Sequence, residues 1–272
     1  VAHSLSPVLH GAAYRALGLT GWTYDRVEID AEGLPGFVDE LGPEWVGLSV
    51  TMPGKRAALD FAGEVTPRAA AVGAANTLVH TDSGGWLADC TDVDGVVGAL
   101  RVAGGYLPGP GDTGVVLGAG GTAAATVVGL AALGVRCVRL VVREPLRAVE
   151  TIESAKLAGL AVEVLRWSDV DFKELVAGAS VVVSTVPSAA VRSHIDALAG
   201  ASCLLDVSYH PWPTPLAEAV AARGGRLATG LDMLLHQAFG QVEHFTGGKA
   251  PREAMRDALS EATGNIVPLP LA

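Results

Sequence analysis

Residues 113–148, TGVVLGAGGTAAATVVGLAALGVRCVRLVVREPLRA, decide the fold. An apolar run, Val115-Val116-Leu117, meets the glycine cluster Gly118-Ala119-Gly120-Gly121. An alanine-rich, helix-favouring segment follows, and a second apolar run occupies 138–142. Strand, tight turn, helix and strand in that order is the setting in which a glycine-rich match carries weight. Glycines let the backbone turn sharply and come close to a pyrophosphate. The helix start then offers unpaired N–H groups and the positive end of a dipole. Ala123 stands where a third glycine often sits, which the pattern tolerates. Glycine-rich turns also join strands to helices in α/β proteins that bind no nucleotide, but with both flanking elements present a dinucleotide site is the better reading.

The end of the second apolar run bears on which dinucleotide. A carboxylate there suits a ribose 2′-hydroxyl, whereas an arginine suits a 2′-phosphate. The residues are Val142-Arg143-Glu144-Pro145-Leu146-Arg147. Arg143 and Arg147 make a candidate two-pronged clamp, because guanidinium forks match phosphate geometry; a solvated helix start accounts for them equally simply. Glu144 could repel a 2′-phosphate, accept from a ribose hydroxyl, or face water. NADP (as NADPH) is favoured, and NAD stays open.

Working outward, apolar runs at 115–117, 138–142, 162–165, 180–184, 203–207 and 226–228 alternate with helical stretches. That alternation predicts a parallel sheet covered on both faces. Upstream, 24–29 and 45–50 read as strands, each preceded by a helical pattern (7–17 and 31–41). Pro7 suits the first turn of its helix, with Ser6 as the cap. A helix over 54–62, short strands at 77–80 and 85–88 around a turn, a helix over 92–103 and a Gly/Pro loop over 104–112 follow. Residues 233–263 read as two helices broken near Gly247-Gly248. The fold class is α/β: an N-terminal α/β substrate domain, a Rossmann-like doubly wound dinucleotide-binding domain, and C-terminal helices returning to the first. The expected boundaries are 1–92 plus 231–272 for the substrate-binding and catalytic domain and 93–230 for the dinucleotide domain. Active sites often lie in the cleft between two such domains.

The 272 residues are half hydrophobic and poor in aromatics, which suits an α/β core and argues against disorder. A formal charge of −10 leaves no global basic field to hold nucleic acid or an anionic membrane. Cys90, Cys137 and Cys203 are far apart, so neither a metal site nor a disulfide framework is expected, and a reducing cytoplasm fits. No apolar run reaches membrane-spanning length, and no signal peptide or lipidation motif is visible. The chain begins at Val1 without Met and enters His3-Ser4-Leu5-Ser6-Pro7 almost at once, so a lost opening segment is expected.

Three polar clusters carry candidate chemistry. Ser4 and Ser6 flank a helix start, where two hydroxyls and free N–H groups suit a carboxylate, although Ser6 alone reads better as a plain cap. Ser49-Val50-Thr51-Met52-Pro53-Gly54-Lys55 follows a strand, and α/β ligands bind at strand carboxyl ends. Lys55 could donate to a carbonyl oxygen as negative charge develops there, or simply snorkel at the surface. Asn76-Thr77 and Asp89-Cys90-Thr91-Asp92 form the third cluster. Asp92 could orient a hydroxyl, balance Lys55, or cap the next helix. The histidines His10, His80, His194, His210, His236 and His244 have no carboxylate or cysteine at ligand spacing, and His236 reads as structural.

In order and at similar spacings, Ser-x-Ser-Pro-x-x-His, V-T-x-P-x-K, A-N-T, T-D-x-x-G and the glycine turn resemble those of the shikimate dehydrogenase family, of the NADP-dependent bacterial biosynthetic type. The resemblance continues through Ser184-Thr185-Val186-Pro187, Asp206-Val207-Ser208-Tyr209, Thr214-Pro215-Leu216 and Gly230-Leu231-Asp232-Met233-Leu234 with Gln237. It spans essentially the whole chain, except that the family's first strand, which precedes Ser-x-Ser, is absent. The resemblance implies that Ser4 and Ser6 hold a substrate carboxylate and that Thr51, Asn76, Asp92 and Gln237 bind ring hydroxyls. It makes Lys55 and Asp92 the catalytic pair and brings Tyr209 to the substrate. Gly118, Ala119, Gly120 and Gly121 would cradle pyrophosphate, and Arg143 would meet the 2′-phosphate, with Arg147 beside it. Thr185, Gly230 and Met233 would line the nicotinamide. Ser49 and Cys90 each replace a usual asparagine, which is expected to loosen local hydrogen bonding, and Val-Arg-Glu at 142–144 replaces Asn-Arg-Thr.

The implied reaction is reversible reduction of 3-dehydroshikimate to shikimate in aromatic amino acid (chorismate) biosynthesis, without a metal, by a cytoplasmic monomer or homodimer. Two alternatives stand beside it: a quinate/shikimate dehydrogenase using NAD, and a non-catalytic dinucleotide-binding member.

Overall fold

The computed structural model describes residues 3–109 and 111–271. The first half runs α1 (Ser6–Ala16), α2 (Leu34–Asp39), β1 (Gly47–Ser49), α3 (Lys55–Phe61), β2 (Glu64–Val65), α4 (Pro67–Val72), β3 (Thr77–His80), β4 (Trp86–Asp89) and α5 (Asp92–Gly98), which continues as a π-helical turn over Ala99–Ala103. The second half runs β5 (Thr113–Leu117), α6 (Gly121–Leu133), β6 (Cys137–Val142), α7 (Val149–Leu157), β7 (Ala161–Arg166), α8 (Phe172–Ala177), β8 (Val181–Ser184), α9 (Ser188–Val191), α10 (Ile195–Leu198), β9 (Cys203–Asp206), α11 (Pro215–Ala222), β10 (Arg226–Thr229), α12 (Gly230–Thr246) and α13 (Arg252–Ala262).

Two compact units emerge. One comprises 1–91 with 234–271, and the other 92–233. In the second unit every strand pairing is parallel, in the order β10-β9-β8-β5-β6-β7. Numbered from β5, this is the 3-2-1-4-5-6 order of a doubly wound sheet, reversing between β5 and β8. Strands β5, β8 and β9 are valine- and leucine-rich and almost wholly buried, as expected when helices cover both faces. Their side chains meet Phe172, Leu175, Leu198, Leu216 and Val220 in one core. Gly129 lets α6 and α5 approach closely; a Cβ there would stand 3.0 Å from Val96.

The first unit holds a smaller mixed sheet, β1-β3-β4-β2. β3 and β4 form the expected hairpin, with Thr77 opposite Asp89. Leu34, Val38, Ala58, Leu78 and Ala88 pack beneath it. β2 and α4 had no counterpart in the sequence reading: β2 is two residues long, and α4 is a single alanine-rich turn and a half capped by the Thr66 side chain.

Three expectations need correction here. Residues 24–29 form no strand, because no described strand pairs with them; a cavity of about 850 Å³ lies between 21–30 and the free edge of β1. The strand expected over 45–50 shrinks to Gly47–Ser49, the part that finds a partner in β3. Ser6 is not a cap. It is the first helical residue of α1, Leu5 holds the cap position, and the Ser6 N–H donates to Ser4 Oγ at 3.2 Å. Pro7, lacking an N–H, sits in the first turn as expected.

Asp89, about 1% exposed, ties the first unit together. It accepts from Arg68 through both carboxylate oxygens, from Thr66 Oγ1 at 2.6 Å and from the Cys90 N–H at 2.8 Å. His244 Nε2 of α12 lies 2.5 Å away, a partner that spacing along the chain did not reveal. Burial alone would raise the Asp89 pKa. The bonds from Arg68, His244 and Thr66, with the Arg68 charge, outweigh it and hold the carboxyl well below its usual range. A depressed carboxylate stabilises the fold above its unfolded pKa, and that contribution is lost as pH falls below the usual carboxylate range. Asp89→Asn is expected to lower stability by about 2 kcal/mol at neutral pH, allowing for the partial exposure of Arg68. In urea titrations the difference from the parent should shrink as pH falls; a difference independent of pH would contradict this account.

Candidate active site

In the first unit the candidate residues converge on the carboxyl end of β1. The chain leaves Ser49 through Val50 and Thr51, turns at Met52-Pro53-Gly54, and enters α3 at Lys55. Thr51 is exposed and Lys55 half-buried. Two backbone bonds fasten this turn to 75–76: Val50 N–H donates to the Asn76 carbonyl at 2.7 Å, and Ala75 N–H donates to the Lys55 carbonyl at 2.9 Å. Gly54 packs closely here: a Cβ would stand 2.9 Å from the Leu34 Cδ1 methyl, which would have to shift.

Asn76 is the hub. It is buried, and its Nδ2 donates to Thr91 Oγ1 at 3.0 Å and to Gln237 Oε1 at 3.2 Å. Its Oδ1 accepts from Thr91 N–H and from Thr77 Oγ1, both at 2.8 Å. Gln237 Nε2 is turned back to the Leu234 carbonyl at 2.9 Å. Asn76 and Gln237, far apart in sequence, are therefore in contact. Thr91 immediately precedes Asp92, which is largely buried and opens α5.

Ser4 and Ser6, both half-buried, form a second group. The Ser4 carbonyl accepts from Arg26 Nη2 at 2.7 Å, and the Tyr24 hydroxyl is hydrogen-bonded with Ser6 and Ser49. Burial raises the Tyr24 pKa against the pull of those two serines, so the phenol keeps its proton. The Tyr24 ring stacks on His10, centroids 4.2 Å apart. Burial pushes His10 down to about 4, with a bond to Gln241 opposing, so this imidazole is neutral. His236 is likewise pushed down to about 4, by burial and then by the charge of Arg252. The loosening expected at Ser49 is not found: its hydroxyl donates to Gln241 Oε1 at 2.9 Å. Sequence reasoning passed over Tyr24, Arg26 and Gln241; the alternation of polar and apolar residues over 22–30 hid the first two in an expected strand.

In the second unit the glycine turn sits at the β5/β8 reversal, at the strands' carboxyl ends, where open α/β sheets bind ligands. Gly118 has φ +103°, and a Cβ there would stand 2.6 Å from Thr185 Oγ1 and 2.9 Å from Val186. The Thr185 hydroxyl donates to the Leu117 carbonyl at 2.8 Å, which fixes this close approach. Gly120 precedes α6 without a side-chain cap, and a Cβ on it would meet open space. Ala119 is held by Thr151 Oγ1, which donates to its carbonyl at 3.2 Å, and Gly121 begins α6. Uncapped N–H groups at a helix start beside an open glycine surface fit a dinucleotide pyrophosphate. At the end of β6, Arg143 and Arg147 are exposed, while Glu144 accepts from the Leu146 N–H, a local turn bond at 3.5 Å. Gly230 is forced: a Cβ would stand 2.1 Å from the Val207 carbonyl and 2.9 Å from Tyr209. Asp206 braces the Tyr209 loop by accepting from Thr214 Oγ1 at 2.7 Å and Ser208 N–H at 3.1 Å. Met233 is buried.

Residues 1–78 match the model of the shikimate dehydrogenase substrate binding domain, and 230–259 that of the shikimate 5′-dehydrogenase C-terminal domain. The chain is 34% identical over 280 residues to the shikimate dehydrogenase (NADP(+)) of Synechococcus sp. (strain JA-3-3Ab), covering 98% of this chain and 92% of that protein. It is similar to the crystal structure of Mycobacterium tuberculosis shikimate dehydrogenase, with a TM-score of 0.89, 52% identity and 96% of each chain covered. It is also similar to shikimate 5-dehydrogenase from Thermus thermophilus in complex with NADP(H) and shikimate, with a TM-score of 0.77, 30% identity and 96% of each chain covered.

Replacing Gly118 by alanine sets a side chain at positive φ against Thr185. The expected result is a stability loss of about 2 kcal/mol and at least tenfold weaker NADPH binding, read by thermal melts and by quenching titrations on the same samples. Unimpaired binding would mean that the turn does not approach the dinucleotide.

Proposed function

The chain belongs to the shikimate dehydrogenase family, and we propose that Lys55 and Asp92 are the catalytic pair with which it performs that family's reaction. The protein is an NADP-dependent oxidoreductase that reversibly reduces the ring ketone of 3-dehydroshikimate to the hydroxyl of shikimate, in the shikimate pathway of aromatic amino acid (chorismate) biosynthesis. The observation that carries the residue assignment is the role of 75–76. Ala75 holds the backbone of Lys55, while the Asn76 side chain holds Thr91, the residue before Asp92. Neighbouring residues of one dipeptide thus bond to Lys55 and to Thr91.

When bound, NADPH supplies the hydride. Gly118, Ala119, Gly120 and Gly121 would hold its pyrophosphate, Arg143 and Arg147 its 2′-phosphate, and Thr185, Gly230 and Met233 its nicotinamide end. On the substrate side, the Ser4 and Ser6 hydroxyls take the ring carboxylate, and Thr51, Asn76 and Gln237 orient the ring hydroxyls, with Tyr209 as a further substrate contact. The Lys55 ammonium donates to the carbonyl oxygen as it gains negative charge, and Asp92 accepts from the adjacent hydroxyl and keeps the lysine in its donating state. The acidic chain has no global basic field of the kind that holds nucleic acid, and the substrate carboxylate is left to local donors. Among the described residues no helix is long and apolar enough to cross a membrane. A cytoplasmic monomer or homodimer completes the reading.

Lys55→Ala should lower kcat by about a hundredfold or more while changing the KM for shikimate far less, because the ammonium acts on charge that exists only in the transition state. A folded variant with parental turnover would remove Lys55 from the mechanism. Arg143→Ala should raise the KM for NADPH about tenfold and leave that for NADH nearly unchanged. Parallel changes for both cofactors would exclude a 2′-phosphate contact.

A further inference from the structure

We propose that Gln241 is a positioning residue for shikimate recognition, a single buried amide that sets the register of the three segments bearing Ser4 and Ser6, Thr51 and Lys55, and Asn76. The inference rests on the substrate-site reading of those residues. Gln241 lies on α12, one turn beyond Gln237, and is 2% exposed. Its Nε2 donates to the Asn76 carbonyl at 3.0 Å and to Thr77 Oγ1 at 3.1 Å. Its Oε1 accepts from Ser49 Oγ at 2.9 Å and lies 3.2 Å from His10 Nε2. These four bonds use both N–H groups and both lone-pair directions of the amide.

The amide has only one acceptable orientation. Rotated by half a turn, it would set Oε1 against the Asn76 carbonyl oxygen, two acceptors with no proton between them. With Oε1 toward His10, the imidazole must carry its proton on Nε2, which leaves Nδ1 to accept from the Tyr14 hydroxyl at 3.4 Å. The neutral state of this buried histidine agrees with that arrangement.

From this fixed point the order propagates in three directions. The Thr77 hydroxyl accepts from Gln241 and donates to Asn76 Oδ1, which turns Asn76 Nδ2 toward Thr91 and Gln237. The Ser49 bond anchors the last residue of β1, two positions before Thr51. The His10 bond anchors α1 one helical turn after Ser6, on the same helix face. Truncating Gln241 therefore disturbs substrate contacts that it does not itself make.

The test is steady-state kinetics and calorimetric shikimate binding with the full chain, as parent, Gln241→Met, Ser49→Ala and the double variant. The expected result is a tenfold or larger rise in KM and Kd for shikimate in Gln241→Met, with the KM for NADP+ within twofold of the parent. Ser49→Ala, a milder change that keeps the fold, should raise the shikimate constants about threefold. The double variant should cost less than the product of the singles, since both remove one shared bond. Equal changes in both substrates' KM, or unchanged shikimate constants in folded Ser49→Ala, would overturn the proposal. A parent chain that binds shikimate but fails to reduce NADP+ would instead overturn the catalytic reading and leave the binding test of Gln241 intact.

Discussion

The peptide carbonyl of Asn76 receives two hydrogen bonds, from Val50 N–H and from Gln241 Nε2, and the substrate-binding unit is organised around that oxygen. A buried carbonyl left with one partner would not unfold the unit, but it would release the relation between β1, β3 and α12. The second bond turns a short three-residue ladder into a fixed frame. β1 and β3 share only three residue pairs, too few to define side-chain positions by themselves. Side-chain amides, hydroxyls, the Asp89 carboxylate and the imidazoles of His10 and His244 supply the remaining constraints, which is why so much of this unit's buried chemistry is polar.

The dinucleotide unit is ordered by another means. Its central strands β5, β8 and β9 are almost wholly buried, and β6 pairs with β5 over five residues and with β7 over six, so apolar packing orders this sheet. Constraint is concentrated at Gly118, in the β5/β8 reversal, and at Gly230, where β10 passes into α12; each gives backbone room that a side chain would fill. One unit is thus ordered through hydrogen-bond saturation, the other through apolar packing and the room left at two glycines.

That contrast also governs what could be read from the chain alone. The parallel sheet was legible nearly residue by residue, because valine runs alternating with helices and a glycine turn have few other solutions. The hairpin at Thr77–His80 and Trp86–Asp89 was legible for a similar reason, a clear turn between apolar runs. Residues 24–29 misled, since alternation predicts a strand only where a neighbour exists to pair with it. Ser6 misled because a hydroxyl before proline resembles a cap, while Ser4 takes the N–H instead. Thr51, Lys55, Asn76 and Gln237 came from ordered motifs. Gln241, Tyr24 and His244 belong to no local pattern: their partners are residues such as Ser49 and Asp89, distant along the chain and near only after folding.

The cavity beside β1 has a consequence for how ionic strength acts on the first unit. Among the described residues, the cavity wall carries Asp25, Glu28, Asp30 and Glu44 and no lysine or arginine. Like charges gathered on one wall repel one another, and added salt screens that repulsion. Thr51 lines the same cavity, so the salt around the protein reaches the turn that leads to Lys55.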